Sequence, residues 1–397
     1  MVKEALHGNP ILTFSPDSTP IGHPAMSGPG TAAMDNAIAP TITALATARP
    51  DHDIHAAFVN WASARVTDPR ARRLFERMAA RSGISHRWSV LPRSAHGGSP
   101  VDSGGFYDAP SLPPTSARMA AYAQYAPQLA LCAVAKLGFG FVAHEITHII
   151  VASCTGFVAP GIDQILARQL GLGAHVERLL IGFMGCYAGV TALRAARHIV
   201  RSEPSAVVLL VSVELSTLHL EDTCAIEPLL AMLQFSDGAA AAVIRASVDG
   251  SDAQKNGLVQ LGSGLSLALP QSDELIRWDI GEQGFVMRLS GEVPARIEAA
   301  LADEDTQSAL FGNGVPHHLA VHAGGRSILD AVERALALDP AALANSRNIL
   351  SESGNMSSAT ILFVIDRLVQ QHASGAGMAL AFGPGLAAEA IHLKFCR

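Results

Sequence analysis

The sequence predicts an α/β fold made of two similar halves. Three observations predict it: strand-like and helix-like segments alternate, a nine-residue pattern recurs, and a polar stretch separates the two copies. The pattern reads GCYAGVTAL at Gly185–Leu193 and GNMSSATIL at Gly354–Leu362, with Gly, Thr and Leu coinciding among small residues. Upstream, His148 opens HIIVA and His318 opens HLAVH. The interval from histidine to glycine is 37 residues in the first copy and 36 in the second. Matching order and spacing point to a duplicated unit, with halves at residues 37–246 and 247–397.

The elements follow in chain order. Residues 1–36 are rich in Pro, Gly, Ser and Thr without periodicity and read as a mobile extension. Helical patterns follow at His55–Ala64 and Pro69–Ser82. HIIVAS, 148–153, is a short apolar run and reads as a buried strand. Pro160–Leu170 reads as a helix, LLIGF (179–183) as a strand and Ala188–Arg201 as a helix. AVVLLVSVE (206–214) and AAAAVIRA (239–246) read as strands. The polar SVDGSDAQKNG, 247–257, is the connector, and a second strand-and-helix series runs from it to the end.

Composition excludes several classes. Apolar residues make up 49% and charged residues 16%, which allows an ample core. A net charge of −7 supplies no basic field for nucleic acid. The most apolar window, LLIGFMGCYAGVTAL, is shorter than about 18 residues and contains glycines, so it is a poor membrane span. Five scattered cysteines without C-x-x-C favour neither a disulfide framework nor a cysteine zinc site, and fit a reducing, cytoplasmic setting. HEITH, 144–148, matches the zinc-peptidase pattern H-E-x-x-H. That chemistry needs both histidines on one helix face. Here Ile149, Ile150 and Val151 follow at once and are strand-like. HEITH is therefore expected to be a loop-to-strand junction, with no metal.

The chemistry points to Cys186 instead. An apolar strand runs into Gly185, Cys186 follows, and a small-residue helix begins. A thiol at a helix N-terminus meets unpaired N–H groups and a dipole that favour thiolate. A buried structural cysteine is the alternative. Asn355 holds the matching position in the second half, where it donates two N–H bonds without titrating and suits a fixed oxyanion donor. His322, in VHAGGRSILD, ends a strand at a Gly-Gly turn. It is placed to pair with a thiolate and to donate to a thioester oxygen.

Cys186 in GCYAG, His322 in HAGGRSILD, Asn355 in GNMSSA and AFGPGL at 381–386 together resemble type III polyketide synthases, the chalcone synthase-like enzymes. The resemblance covers about residues 40–395. It implies a duplicated thiolase-like fold layered α-β-α-β-α, a homodimer, and no cofactor beyond CoA thioester substrates. It implies that Cys186 is acylated by an acyl-CoA starter and accepts successive units from malonyl-CoA. Phe235, in QFSDG, would lie between the CoA tunnel and the cavity. Cys154, in SCTGFVAPGID, would line the pocket, as would Ser216, His219, Trp278, Met287, Ser357 and Phe382. Arg77 and Arg81, in FERMAAR, would hold CoA phosphates. His219, Trp278 and Met287 look most like bacterial enzymes that make alkylresorcinols or alkylpyrones from fatty acyl-CoA. A β-ketoacyl synthase performing one condensation is the enzymatic alternative. A catalytically silent homologue that binds acyl-CoA is the alternative from another class.

Overall fold

The computed structural model describes residues 38–109, 111–247, 257–312 and 314–396. The expected extension, 1–36, lies outside them, as does nearly all of the connector. The described residues fall within one unit, Ala33–Arg397.

The first-half strands are β1 (Ala39–Ala48), β2 (His52–Asp53), β3 (Trp88–Ser89), β4 (His148–Ser153), β5 (Glu177–Gly182), β6 (Val207–Leu215) and β7 (Asp237–Ser247). The second-half strands are β8 (Val259–Ala268), β9 (Ile276–Gly281), β10 (Gly284–Leu289), β11 (His318–Val321), β12 (Ser374–Gly383) and β13 (Ala387–Cys396). Nine of these form one hydrogen-bonded series in the order β11-β12-β13-β8-β1-β7-β6-β4-β5. The series is two half-sheets joined between β1 and β8, where Thr41 faces Gln260 and Ile42 faces Val259.

The duplication is legible in the pairing. In the first half β1/β7 and β7/β6 are antiparallel and β6/β4 is parallel. In the second half β8/β13 and β13/β12 are antiparallel and β12/β11 is parallel. β4 and β11 begin at His148 and His318, the residues that set the register in the sequence. β5 extends the first half-sheet and has no counterpart among the described residues.

Burial explains why the strands read as continuous apolar runs. β4 is buried along its whole length and β6 along nearly all of it, because helices cover both faces. Between the half-sheets lie the helices Ala188–Ser202 and Thr360–Gln370. Their Val190, Leu193, Leu362 and Ile365 share a core with Ile42 and Leu210 of one half-sheet and Ala379 and Ile391 of the other. Gly189 permits this approach, since a Cβ there would overlap the Ser358 carbonyl. Outside the first half-sheet the helix Thr115–Ala135 packs on Ile149, Val211 and Ala241. Outside the second, Val293–Ala302 and Arg326–Ala335 pack on Leu319, Val321 and Leu380. This is the expected α-β-α-β-α layering.

Local signals place the element ends. Asp68 accepts a hydrogen bond from Ala71 N–H and Pro69 occupies the first turn, so the helix starts at Pro69 as expected; it ends at Ala80, two residues early. The 21-residue helix Thr115–Ala135 was not foreseen, and Pro127 in its interior interrupts the pattern that would announce it. HEITH is a junction. Glu145 closes a one-turn segment, Ala143–Glu145, and pairs with Arg245, while His148 starts β4. Among the described residues no single helix is long and apolar enough to cross a membrane.

Candidate active site

Cys186 sits between β5 and the helix Ala188–Ser202. Gly185 before it has φ 81°, and a Cβ there would overlap the Pro384 ring. Phe183 also has positive φ, 58°, a strained state for a non-glycine. The chain thus turns sharply from strand to helix and sets the thiol at the helix start.

The second half supplies Asn355. Its Oδ1 accepts the Ser357 N–H at 2.9 Å, which fixes which way the amide faces. Nδ2 then donates to the Gly324 carbonyl at 3.2 Å and faces Cys186 Sγ at 4.0 Å. Main-chain bonds tie Asn355 to the first half: its N–H donates to Gln234 at 2.8 Å and its carbonyl accepts from Ser236 at 2.9 Å. Phe235 and Asn355 therefore form a parallel bridge between the halves. His322 follows β11 and is 2% exposed, with both ring nitrogens unpartnered. Its carbonyl accepts from Gly324 N–H at 2.9 Å, so it adjoins the loop that receives Asn355.

Burial dominates the electrostatics. It pushes the Cys186 thiol up to about 12, against the partial help of hydrogen bonds from Ser357 and Asn355. It pushes His322 down to about 3. A charge on either group alone is disfavoured, so burial opposes the thiolate that the helix N-terminus and a His322 imidazolium were expected to favour. Were the thiol proton to pass to the imidazole, the two charges would compensate one another.

Phe235, Ser216, His219, Trp278 and Met287 line one cavity of about 680 Å³, mouth included. Trp278 and Met287 are cross-strand partners on the hairpin β9–β10. The Trp278 ring lies edge-on to Phe235 at 5.9 Å and to His219 at 5.8 Å. His219 stacks on Phe285 at 4.3 Å; its Nε2–H donates to the Thr155 carbonyl at 2.7 Å and its Nδ1 accepts Phe285 N–H at 3.0 Å. Burial pushes it down to about 3. His219 gives the cavity a neutral wall and has no nitrogen free for a ligand.

Other expected pocket residues lie elsewhere. Cys154 is 4% exposed and belongs to the core between the half-sheets. Its sulfur accepts Gly185 N–H at 3.0 Å and its thiol donates to the Gly185 carbonyl at 3.5 Å, so it braces the turn before Cys186 instead of lining the cavity. Phe382 is buried in the outer core of the second half. Ser357 is buried beside Cys186 with φ 46°, outside the cavity wall. Arg77 and Arg81, expected to hold CoA phosphates and not to line the cavity, are exposed on and just after the helix Pro69–Ala80. Among the described residues, no group of three or more His, Cys, Asp and Glu is placed to hold a metal.

Two residues escaped the sequence reading. Arg87 is 2% exposed and donates through Nη1 to the Met232 and Phe235 carbonyls at 2.8 and 2.9 Å, which holds the Phe235 loop. A basic residue inside the strand-like HRWSV was its signal. Glu214, fully buried at the end of β6, accepts from Cys154 N–H and Thr155 Oγ1, both at 2.9 Å, and from Ser358 Oγ. A carboxylate within AVVLLVSVE was its signal. Burial raises its carboxyl from 4.5 to about 7. The folded state therefore holds a proton that the unfolded chain releases, so this contribution to stability is full below pH 4.5 and is lost as pH rises through 7. In urea unfolding from pH 5 to 8, the wild type should lose stability relative to Glu214→Gln. Parallel curves would refute the assignment.

Residues 30–248 match the family model for the N-terminal domain of chalcone and stilbene synthases, and residues 260–396 match that for the C-terminal domain. The chain belongs to the chalcone and stilbene synthase family. It is a type III polyketide synthase, an acyltransferase that condenses malonyl units from malonyl-CoA. Among its relatives, a bisdemethoxycurcumin synthase from Oryza sativa subsp. japonica is 34% identical over 72% of this chain and 74% of that protein. An alpha-pyrone synthesis polyketide synthase-like Pks18 from Mycobacterium tuberculosis is 32% identical over 66% of this synthase and 68% of that one. The fold is similar to PKS-I from the brown alga Ectocarpus siliculosus, with TM-score 0.79 at 27% identity over 91% of this chain and all of that one. It is equally similar to the C-terminal type III polyketide synthase domain of Steely1 from Dictyostelium, with TM-score 0.80 at 26% identity over 90% and 100%.

Proposed function

We propose that this synthase loads a fatty acyl-CoA starter onto Cys186, extends it with several malonyl units and closes the product to an alkylresorcinol or alkylpyrone. The observation that carries this reading is the meeting of Cys186, Asn355 and the His322 loop, bridged through the main chain to Phe235 at the wall of an apolar cavity. Cys186 Sγ attacks the starter thioester carbonyl as its proton passes to His322; CoA leaves as a thiolate and takes that proton. Malonyl-CoA then loses carbon dioxide, and His322 and Asn355 donate to the thioester oxygen where the enolate charge gathers. Phe235 offers an apolar face that favours neutral carbon dioxide over the carboxylate. The enolate carbon attacks the acyl-cysteine, freeing the Cys186 sulfur and leaving a β-ketoacyl-CoA two carbons longer. Arg77 and Arg81 serve the CoA phosphates in this scheme.

The Met287 side chain adapts to a flexible alkyl chain, which supports a fatty starter. A relative whose name specifies alpha-pyrone synthesis supports lactone closure among the two ring types. A homodimer belongs to the same reading: β5 is an edge strand, and Leu179, Leu180 and nearby Phe157 are exposed there, an apolar edge that a second copy would cover. Five free thiols fit a reducing, cytoplasmic setting. The test is incubation with malonyl-CoA and short, aromatic and long-chain acyl-CoAs, with products weighed by mass spectrometry. Ring products from long-chain starters are expected. A single β-ketoacyl product would assign one condensation instead, and no product would assign a silent binder.

A further inference from the structure

A second cavity, of about 580 Å³ with its mouth included, lies where the end of β1 meets the end of the helix Thr115–Ala135 and the helices Ala344–Ser353 and Thr360–Gln370. It shares no lining residue with the cavity of Trp278 and Met287. Three cations stand in its wall, and one of them, Arg367, is paired with Glu352 at 2.7 Å. Among the described residues the other two form no ion pair and donate only to neutral oxygens. Arg49 Nη1 donates to the Glu352 carbonyl at 3.0 Å and to Ser353 Oγ at 3.1 Å, and Lys136 Nζ donates to the Thr47 carbonyl at 3.0 Å. Both side chains are exposed and keep further N–H groups for an anion. Ser353 stands two residues before Asn355, so this cavity adjoins the helix end that presents Asn355.

Asp366 narrows the choice of anion. Its Oδ2 receives Gln370 Nε2–H at 2.8 Å and Thr47 Oγ1–H at 3.3 Å, which leaves Oδ1 to the cavity. Burial raises its carboxyl to about 6, so near pH 7.5 it is ionised and only accepts. A fully ionised anion is repelled there, whereas a neutral ligand leaves Arg49 and Lys136 without a counter-charge. Hydrogen phosphate meets both demands: its charged oxygens accept from the cations and its P–O–H donates to the carboxylate. Sulfate has the same shape but no proton to give at this pH. We propose that this cavity is a binding site for inorganic phosphate, held by Arg49 and Lys136 and selected over sulfate by Asp366.

The protein carries a reporter for this site. Arg49 lies 4.6 Å over the Trp88 ring, and Trp88 Nε1–H donates to the Glu352 carbonyl at 2.8 Å. Sodium phosphate, sodium sulfate and AMP are each titrated into the full chain near pH 7.5 at constant ionic strength, without substrates, and binding is read by tryptophan fluorescence and calorimetry. The wild type should bind phosphate saturably and at least about tenfold more tightly than sulfate. Lys136→Gln, at an exposed position, should weaken phosphate about fivefold. In Asp366→Asn the amide oxygen stays with Gln370 and an N–H turns to the cavity, so sulfate should gain on phosphate. Trp88→Phe should lose the fluorescence response and keep the calorimetric one. The proposal is overturned by a wild type without saturable phosphate binding, by equal phosphate affinity in Lys136→Gln, or by equal affinity for phosphate and sulfate. A fluorescence response retained in Trp88→Phe places binding elsewhere and overturns it too, and tighter binding of AMP overturns the assignment to the free ion.

Discussion

Cys186→Ala is expected to lower condensed product by more than about 10³-fold. The acyl group then has no sulfur to wait on while the malonyl unit arrives. Cys154 cannot replace it. That thiol is buried, both donates to and accepts from the Gly185 backbone, and is pushed by burial well above the ordinary thiol range. The check is direct. Starter acyl-CoA alone should leave an acyl mass on the peptide containing Cys186 in the wild type and none in the variant. An acyl mass on Cys154 would move the nucleophile thirty-two residues upstream.

Asn355→Asp should lower carbon dioxide release from malonyl-CoA by about 10²- to 10³-fold. The exchange preserves shape but replaces the Nδ2 donor by a carboxylate oxygen. That oxygen repels both the Gly324 carbonyl and the enolate that decarboxylation creates. The main-chain bonds from Asn355 to Gln234 and Ser236 do not involve the side chain, so the bridge to Phe235 survives. Retained release in a folded variant would show that another group carries the enolate charge.

Much of this site was legible because it stands on the duplication. The aligned histidines at 148 and 318 put Cys186 and Asn355 at matching turns, and each turn is opened by a glycine in the left-handed region, Gly185 and Gly354. Short buried strands such as 148–153 were readable because both faces are covered and the run between His148 and Ser153 is wholly apolar. What sequence could not show was the partner of each polar group. Cys154 reads as a pocket residue until its sulfur is seen on Gly185. His219 reads as a polar contact until two main-chain groups are seen to occupy it. Arg87 and Glu214 are single charged residues in apolar surroundings, and their meaning lies in carbonyls and hydroxyls far away in the chain.

The hairpin β9–β10 stands apart from the nine-strand series. It is fastened by Thr115, which bonds the Gly281 carbonyl and the Gly284 N–H, and by His219 on Phe285 N–H. It carries Trp278 and Met287, whereas Cys186, His322 and Asn355 ride on the layered core. On the proposed function, part of the selectivity and the reactivity would thus be inherited on different stretches of chain. A lineage could then change what it makes by drift within one short ribbon while the proposed bond-forming groups stay under unaltered selection.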